Sequence, residues 1–136
     1  MVGPFDVKAS AKKNALQYLV DEMKAGRDIN LYNGGSLIRD YSHVGYIVEG
    51  IQFLLENGEY NEIYNLGSGH PTVFRELIEE VATRIKYKGT IRSMEPTDFH
   101  KIVQVKDMYL DISKLLTLGF KPKKSYDIPD TLINSK

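Results

Sequence analysis

Glu62-Ile63-Tyr64-Asn65-Leu66-Gly67-Ser68-Gly69-His70-Pro71-Thr72 is the stretch on which the reading of this chain turns. Residues 62–66 read as a strand, and the glycines at 67 and 69 with Pro71 read as a tight turn. Thr72 has the side chain of an N-cap for the helix that follows. That helix carries Phe74, Leu77, Ile78, Val81, Ala82 and Ile85 on one face. Upstream, Val44, Ile47, Val48, Ile51, Leu54 and Leu55 recur at helical spacing, and Asn57-Gly58 ends the run. A strand flanked by two amphipathic helices predicts an α/β fold.

The rest of the chain is built around that unit. Ala15, Leu16, Leu19, Val20 and Met23 place an apolar stripe on a helix from about Ser10 to Ala25, with Gly26 as its stop. Ile29-Asn30-Leu31-Tyr32 alternates like a short strand, and Asn33-Gly34-Gly35-Ser36 is turn chemistry tolerant of positive φ. Residues 37–43 then read as a returning strand, so a hairpin is predicted. Two extended pieces follow, at Thr90–Ser93 and Val103–Leu110. Asp111 can cap a short helix carrying Ile112, Leu115 and Leu116 that stops at Gly119, and one more helical turn is expected after Ser125. These strands are too few for a complete doubly wound sheet, and the hairpin and late strands suggest a smaller, separate layer.

Composition sets the outer bounds. A chain of 136 residues is one domain's worth, so residues 1–136 are read as a single domain. Hydrophobic residues are 42% and charged residues 26%, the proportions of a packed globular protein rather than a disordered one. The 18 basic residues balance the 18 acidic ones, which argues against a surface built for nucleic acid or anionic lipid. The lack of cysteine removes disulfides, thiolate nucleophiles and cysteine-based zinc sites, and fits a reducing compartment. The apolar runs are too short to span a bilayer, and Met1-Val2-Gly3-Pro4-Phe5-Asp6 has no signal-peptide pattern. A cytoplasmic location is expected, with neither nucleic acid nor membrane as partner.

Spacing alone supplies no catalytic constellation. Gly67-Ser68-Gly69 sits where a dinucleotide-binding loop would, but Thr72 replaces the third glycine and Tyr87 stands where the ribose-binding acid belongs. The loop is therefore rejected as a cofactor site, although its backbone N–H groups could still meet an anion. Arg39-Asp40-Tyr41 could present a guanidinium fork to a phosphate, or form an ion pair or structural contact, and composition alone favours the latter. His43, His70 and His100 lack metal-ligand spacing, so no metal is expected. None of the nine tyrosines is followed by a lysine four residues on, and no Gly-x-Ser-x-Gly occurs.

Several of these blocks form one ordered set. Gly3-Pro4, Ile29-Asn30-Leu31-Tyr32 with Gly34-Gly35, Arg39-Asp40-Tyr41-Ser42-His43-Val44, Ile63-Tyr64-Asn65-Leu66-Gly67-Ser68-Gly69, and Asp111-Ile112-Ser113-Lys114 with Leu118-Gly119-Phe120-Lys121-Pro122 run from about residue 2 to 128. Together they resemble the C-terminal, substrate-binding half of the extended short-chain dehydrogenase/reductases, the NAD(P)-dependent epimerases and dehydratases of nucleotide sugars. The resemblance implies a partial Rossmann-like fold: a substrate lobe with a small hairpin and short-strand layer, and a strand at Tyr64 that joins the dinucleotide-binding sheet. It also implies hydride transfer between a sugar and NAD or NADP in the parent enzyme, with a tyrosinate base. The glycine-rich NAD loop and the Tyr-x-x-x-Lys pair of the family do not occur in these 136 residues, so no catalytic residue and no cofactor are assigned to this chain.

Carried over residue by residue, the resemblance makes Arg39 a contact to the nucleotide's phosphates. Asn65 falls near the nucleotide, and Tyr32 lies in the strand lining the base. Pro96-Thr97-Asp98-Phe99-His100-Lys101 falls where the family often has a second phosphate-binding arginine, a role left here to His100 or Lys101. The sequence departs from the family at Tyr46, where an acid is usual, and at Val2, where a tyrosine is usual. The expected partners are a nucleotide sugar and either further copies of this chain or a separate NAD-binding half. Without that half, the apolar faces of the helices near 44–55 and 74–85 would be uncovered.

Overall fold

The computed structural model describes residues 1–3, 15–98, 101 and 107–135. Helix α1 (Ala15–Lys24) buries Leu16, Val20 and Met23 along one stripe. Its end is a Schellman motif: Gly26 is left-handed at φ 72°, Arg27 N–H donates to Glu22 O, and Gly26 N–H donates to Met23 O. Strand β1 (Ile29–Tyr32) follows, inserting Ile29 and Leu31 into the same core.

A 3-10 turn at Asn33–Gly35 leads to the two-residue strand β2 (Ile38–Arg39). The predicted hairpin does not form. β2 pairs antiparallel with β3 (Thr72–Val73), while β1 pairs in parallel with β4 (Ile91–Met94), Ile29 facing Ile91 and Tyr32 facing Met94. Asn33, Gly34 and Gly35 are all left-handed, and Gly35 packs closely against Arg75 at the start of the helix that begins at Phe74. The turn thus docks onto a helix instead of folding β2 back onto β1.

Helix α2 (Val44–Asn57) is capped by His43, whose Nδ1 accepts the Gly45 N–H at 2.9 Å. Val2 runs beside this start: its N–H donates to Ser42 O and its carbonyl accepts from Val44 N–H. Residues 62–66, read as a strand, join no ladder among the described residues, and their links run through side chains. Leu66 lies against Gly50 of α2, the Asn65 amide donates to Asp111 O, and Lys114 Nζ donates to Ile63 O. Thr72 is not a cap. It belongs to β3, and α3 (Phe74–Arg84) starts with Phe74 N–H donating to Leu37 O at 2.9 Å.

α3 buries Leu77, Ile78 and Val81 against α1, β1 and Leu132 of the last helix. The 74–85 face is therefore covered by this chain's own core, against the expectation that it would be exposed. α2 meets the expectation in part: Val48, Ile51 and Leu55 are exposed, whereas Val44, Ile47 and Leu54 of the same row are partly buried. Of the predicted late strand, residues 107–110 form none, and 103–106 lie outside the described residues. Ser113 starts α4 (Ser113–Thr117) with its N–H on the Asp111 carboxylate, and Gly119 ends it at φ 102°. The tail holds a fuller helix than predicted, α5 (Ile128–Asn134), capped by Asp127 and tied to α3 by the Arg84–Asp127 ion pair at 2.8 Å. Among the described residues, no helix is long and apolar enough to cross a membrane.

Candidate functional site

Arg39 occupies the second position of β2, opposite Thr72, and its Nη1 donates to Ile38 O at 2.7 Å. The strand beneath it is pinned from both sides. β3 holds one edge, and on the other Ile38 N–H donates to Asp107 Oδ1 while Met108 N–H donates to Ile38 O.

The next residue, Asp40, gathers the local polar groups. Its Oδ1 accepts from Ser68 N–H and Ser68 Oγ, both at 2.8 Å, and from Ser42 Oγ at 2.9 Å. Its Oδ2 accepts from Gly69 N–H at 2.9 Å and from Leu110 N–H at 3.4 Å. Burial pushes this carboxyl's pKa up. The donors from Ser68, Gly69 and Ser42 outweigh that and hold it below its usual range. A Cβ at Gly67 would stand 2.9 Å from Asp40 Oδ2, so glycine is required for this approach. The Gly67-Ser68-Gly69 loop does meet an anion, then, but the anion is the protein's own carboxylate.

Tyr41 follows, and burial raises its hydroxyl to about 12, with the Arg39 charge acting in the opposite sense. Its ring packs 6.4 Å from Phe74, at the head of α3. Asn65 reaches the same cluster from the far side. Its amide donates to Asp111 O, one residue past the Leu110 N–H that Asp40 holds.

Among the residues singled out from the sequence, the Asp40 cluster thus brings Arg39 and Asn65 onto one framework. Tyr32 lies elsewhere, half-exposed at the carboxyl end of the parallel pair β1–β4 and opposite Met94. Lys101 pairs with Asp98 at 3.4 Å on the surface. His100 lies outside the described residues. Asp40 and Ser68 were not picked out as site residues. The available signal was a carboxylate beside Arg39 and a serine between two glycines, and nothing local links positions 28 residues apart.

The residues present do not fit a dinucleotide at the glycine loop. Its Ser68 and Gly69 N–H groups, which would cradle a pyrophosphate, already serve Asp40. Among the described residues, no group of three or more His, Cys, Asp or Glu side chains could hold a metal ion.

The comparisons with known proteins agree with this architecture. The model of the NAD dependent epimerase/dehydratase family matches residues 1–67. An uncharacterized protein of Methanocaldococcus jannaschii is 34% identical over 102 residues, covering 72% of this chain and 29% of its own length. A putative UDP-glucose 4-epimerase of the same organism is 28% identical over 108 residues, 79% of this chain and 33% of its own length. Among solved structures, UDP-N-acetylglucosamine 4-epimerase from Methanobrevibacter ruminantium, in complex with UDP-N-acetylmuramic acid, superposes with a TM-score of 0.72 at 20% identity. That match covers 98% of this chain and 41% of the other. Residues 1–67 thus carry the match to the NAD dependent epimerase/dehydratase family, and the chain as a whole has part of the Rossmann-like fold of the solved epimerase on which it superposes. The chain spans about a third of the length of the curated relatives it matches.

Proposed function

We propose that this chain is a nucleotide-sugar-binding lobe of an NAD(P)-dependent epimerase or dehydratase, contributing substrate binding and no chemical step of its own. The observation that carries the reading is the placement of Arg39. β2 is held by hydrogen bonds along both edges, and the adjoining Asp40 ties it to the 67–69 loop and to Leu110. A guanidinium on so constrained a strand can offer its planar fork to a diphosphate at little cost in ordering. Asn65, on the same framework, would face the nucleotide, and Tyr32 would border the base. Lys101 would supply a second positive charge, or His100 in its place. Binding at the diphosphate end would hold the sugar in register for groups elsewhere in the whole enzyme.

The experiment is a calorimetric titration of the chain with uridine, UMP, UDP and GDP. Binding that needs the second phosphate supports the reading. Equal affinity for uridine and UDP, or none for either diphosphate, contradicts it. A second reading is favoured by the exposed side chains of α2, namely a non-catalytic oligomer or one subunit of a split enzyme. Co-purification of the chain with a separate NAD-binding polypeptide would support the split form.

A further inference from the structure

The sequence holds two Asn-Gly pairs, Asn33-Gly34 and Asn57-Gly58. Asparagine is chemically least durable in such a pair, because glycine has no Cβ to keep its backbone nitrogen away from the preceding side-chain amide carbon. The fold treats the two pairs in opposite ways. Asn57 is the last residue of α2, and both groups that would react are tied there. Its Nδ2 donates to Phe53 O at 2.9 Å, and Gly58 N–H donates to Leu54 O at 2.9 Å. Asn33 stands in the turn between β1 and β2 at φ 49°. Among the described residues, no hydrogen bond holds its side-chain amide. Its carbonyl accepts from Ser36 N–H at 3.3 Å, a contact that leaves the side chain unrestrained.

We propose that Asn33 is a site of spontaneous modification, converted in the folded chain to aspartate and isoaspartate while Asn57 stays intact. The Gly34 backbone nitrogen attacks Asn33 Cγ, and the new N–C bond closes a cyclic imide. The side-chain nitrogen leaves as ammonia, taking the proton from Gly34 N–H. Water then opens the imide at either carbonyl, with no change of oxidation state. Both products carry an added negative charge, and isoaspartate also has an extra carbon in the main chain. That carbon falls in the turn docked on α3. Arg75 Nη1 donates to Gly34 O at 3.3 Å, and a Cβ at Gly35 would stand 3.2 Å from the Arg75 backbone nitrogen. Isoaspartate therefore loosens this contact, whereas aspartate, which adopts a left-handed φ as readily as asparagine, keeps it. The modification does not depend on nucleotide binding.

Ageing the 136-residue chain in mildly alkaline buffer, with tryptic peptides followed by mass spectrometry, tests it. The peptide from Asp28 to Arg39 contains Asn33, and the peptide from Asp40 to Arg75 contains Asn57. Two hydrogen bonds must open before Asn57 can react, so Asn33 should convert roughly tenfold faster or more. In strong urea the restraint is gone, and the two rates should draw together. An unchanged Asn33 in the folded chain overturns the proposal, and so does an Asn57 that converts as fast. A rate difference that persists undiminished in urea overturns the part assigned to the fold. The isoaspartate form, separated by its added charge, should unfold at lower urea than Asn33→Asp. Equal midpoints overturn the effect on the Arg75 contact.

Discussion

Asp40 accepts both the backbone N–H and the hydroxyl of Ser68 on a single carboxylate oxygen, each at 2.8 Å, across 28 residues of chain. This relationship joins the strand bearing Arg39 to the glycine loop in front of α3. It also explains the loop's composition. Gly67 admits the carboxylate, and Gly69, left-handed at φ 70°, turns its own N–H onto Asp40. Candidate function and fold stability therefore meet in neighbouring residues, Arg39 for a ligand and Asp40 for the frame beneath it.

Asp40→Ala should cost about 1.5–3 kcal/mol of unfolding free energy, the scale of hydrogen bonds to a charged group whose donors are then left unpaired. Urea unfolding at neutral pH measures this. Because the carboxyl's folded pKa is depressed, its contribution is complete above the unfolded value of about 3.9 and is lost as pH falls through the folded value. The gap between wild type and the alanine variant should therefore be full at pH 7 and narrower at pH 3. A gap of equal size at both would contradict the charged role.

His43 should make the chain lose stability in mild acid. Its Nδ1 accepts the Gly45 N–H, which only the unprotonated nitrogen can do, and the ring stacks 4.4 Å from that of Tyr126. Burial lowers its pKa, so its contribution is present above the unfolded value of about 6.5 and disappears as pH falls through the folded value. Thermal melts between pH 7.5 and 5 should show a falling midpoint. In His43→Asn, whose cap does not titrate, the fall should be smaller. Parallel curves for the two proteins would rule out this origin.

Lys86→Gly should stabilise the chain by about 1 kcal/mol. Lys86 holds the left-handed position of the Schellman motif that ends α3, at φ 55°, with Tyr87 N–H on Ala82 O and its own N–H on Thr83 O. Glycine fills the equivalent positions after α1 and α4, at Gly26 and Gly119. A side chain there costs about 1–2 kcal/mol, and the extra freedom of glycine in the unfolded chain returns part of it. Denaturant midpoints of the two proteins decide the matter, and a destabilised glycine variant would refute it.

The features legible in the sequence were those with local causes. The periodic rows of α1, α2 and α3 and the glycine stops at 26 and 119 depend on neighbours within a turn. Strand partners do not. Turn chemistry at 33–35 marked a turn but not the hairpin expected of it, and β1 paired with a segment about sixty residues further on. The α2 periodicity identified an apolar face but not what lies against it, and half of that face, Val48, Ile51 and Leu55, stayed open while α3 took the core. Arg39 was visible as a possible phosphate contact but was favoured as one only through a family resemblance, and nothing local marks Asp40, because its donors at Ser68, Gly69 and Leu110 are brought near by the fold.

The most direct test of the account is UDP binding to the wild-type chain, to Arg39→Ala and to Arg39→Lys, followed by calorimetry at fixed low salt. The account predicts that alanine weakens binding by about 1.5–3 kcal/mol, and that lysine, a point charge without the fork, restores only part of it. Both variants should keep the wild-type circular dichroism spectrum, since Asp40 carries the hydrogen bonds that join β2 to the 67–69 loop. Wild-type affinity in the alanine variant would contradict the assignment of this strand to a nucleotide diphosphate.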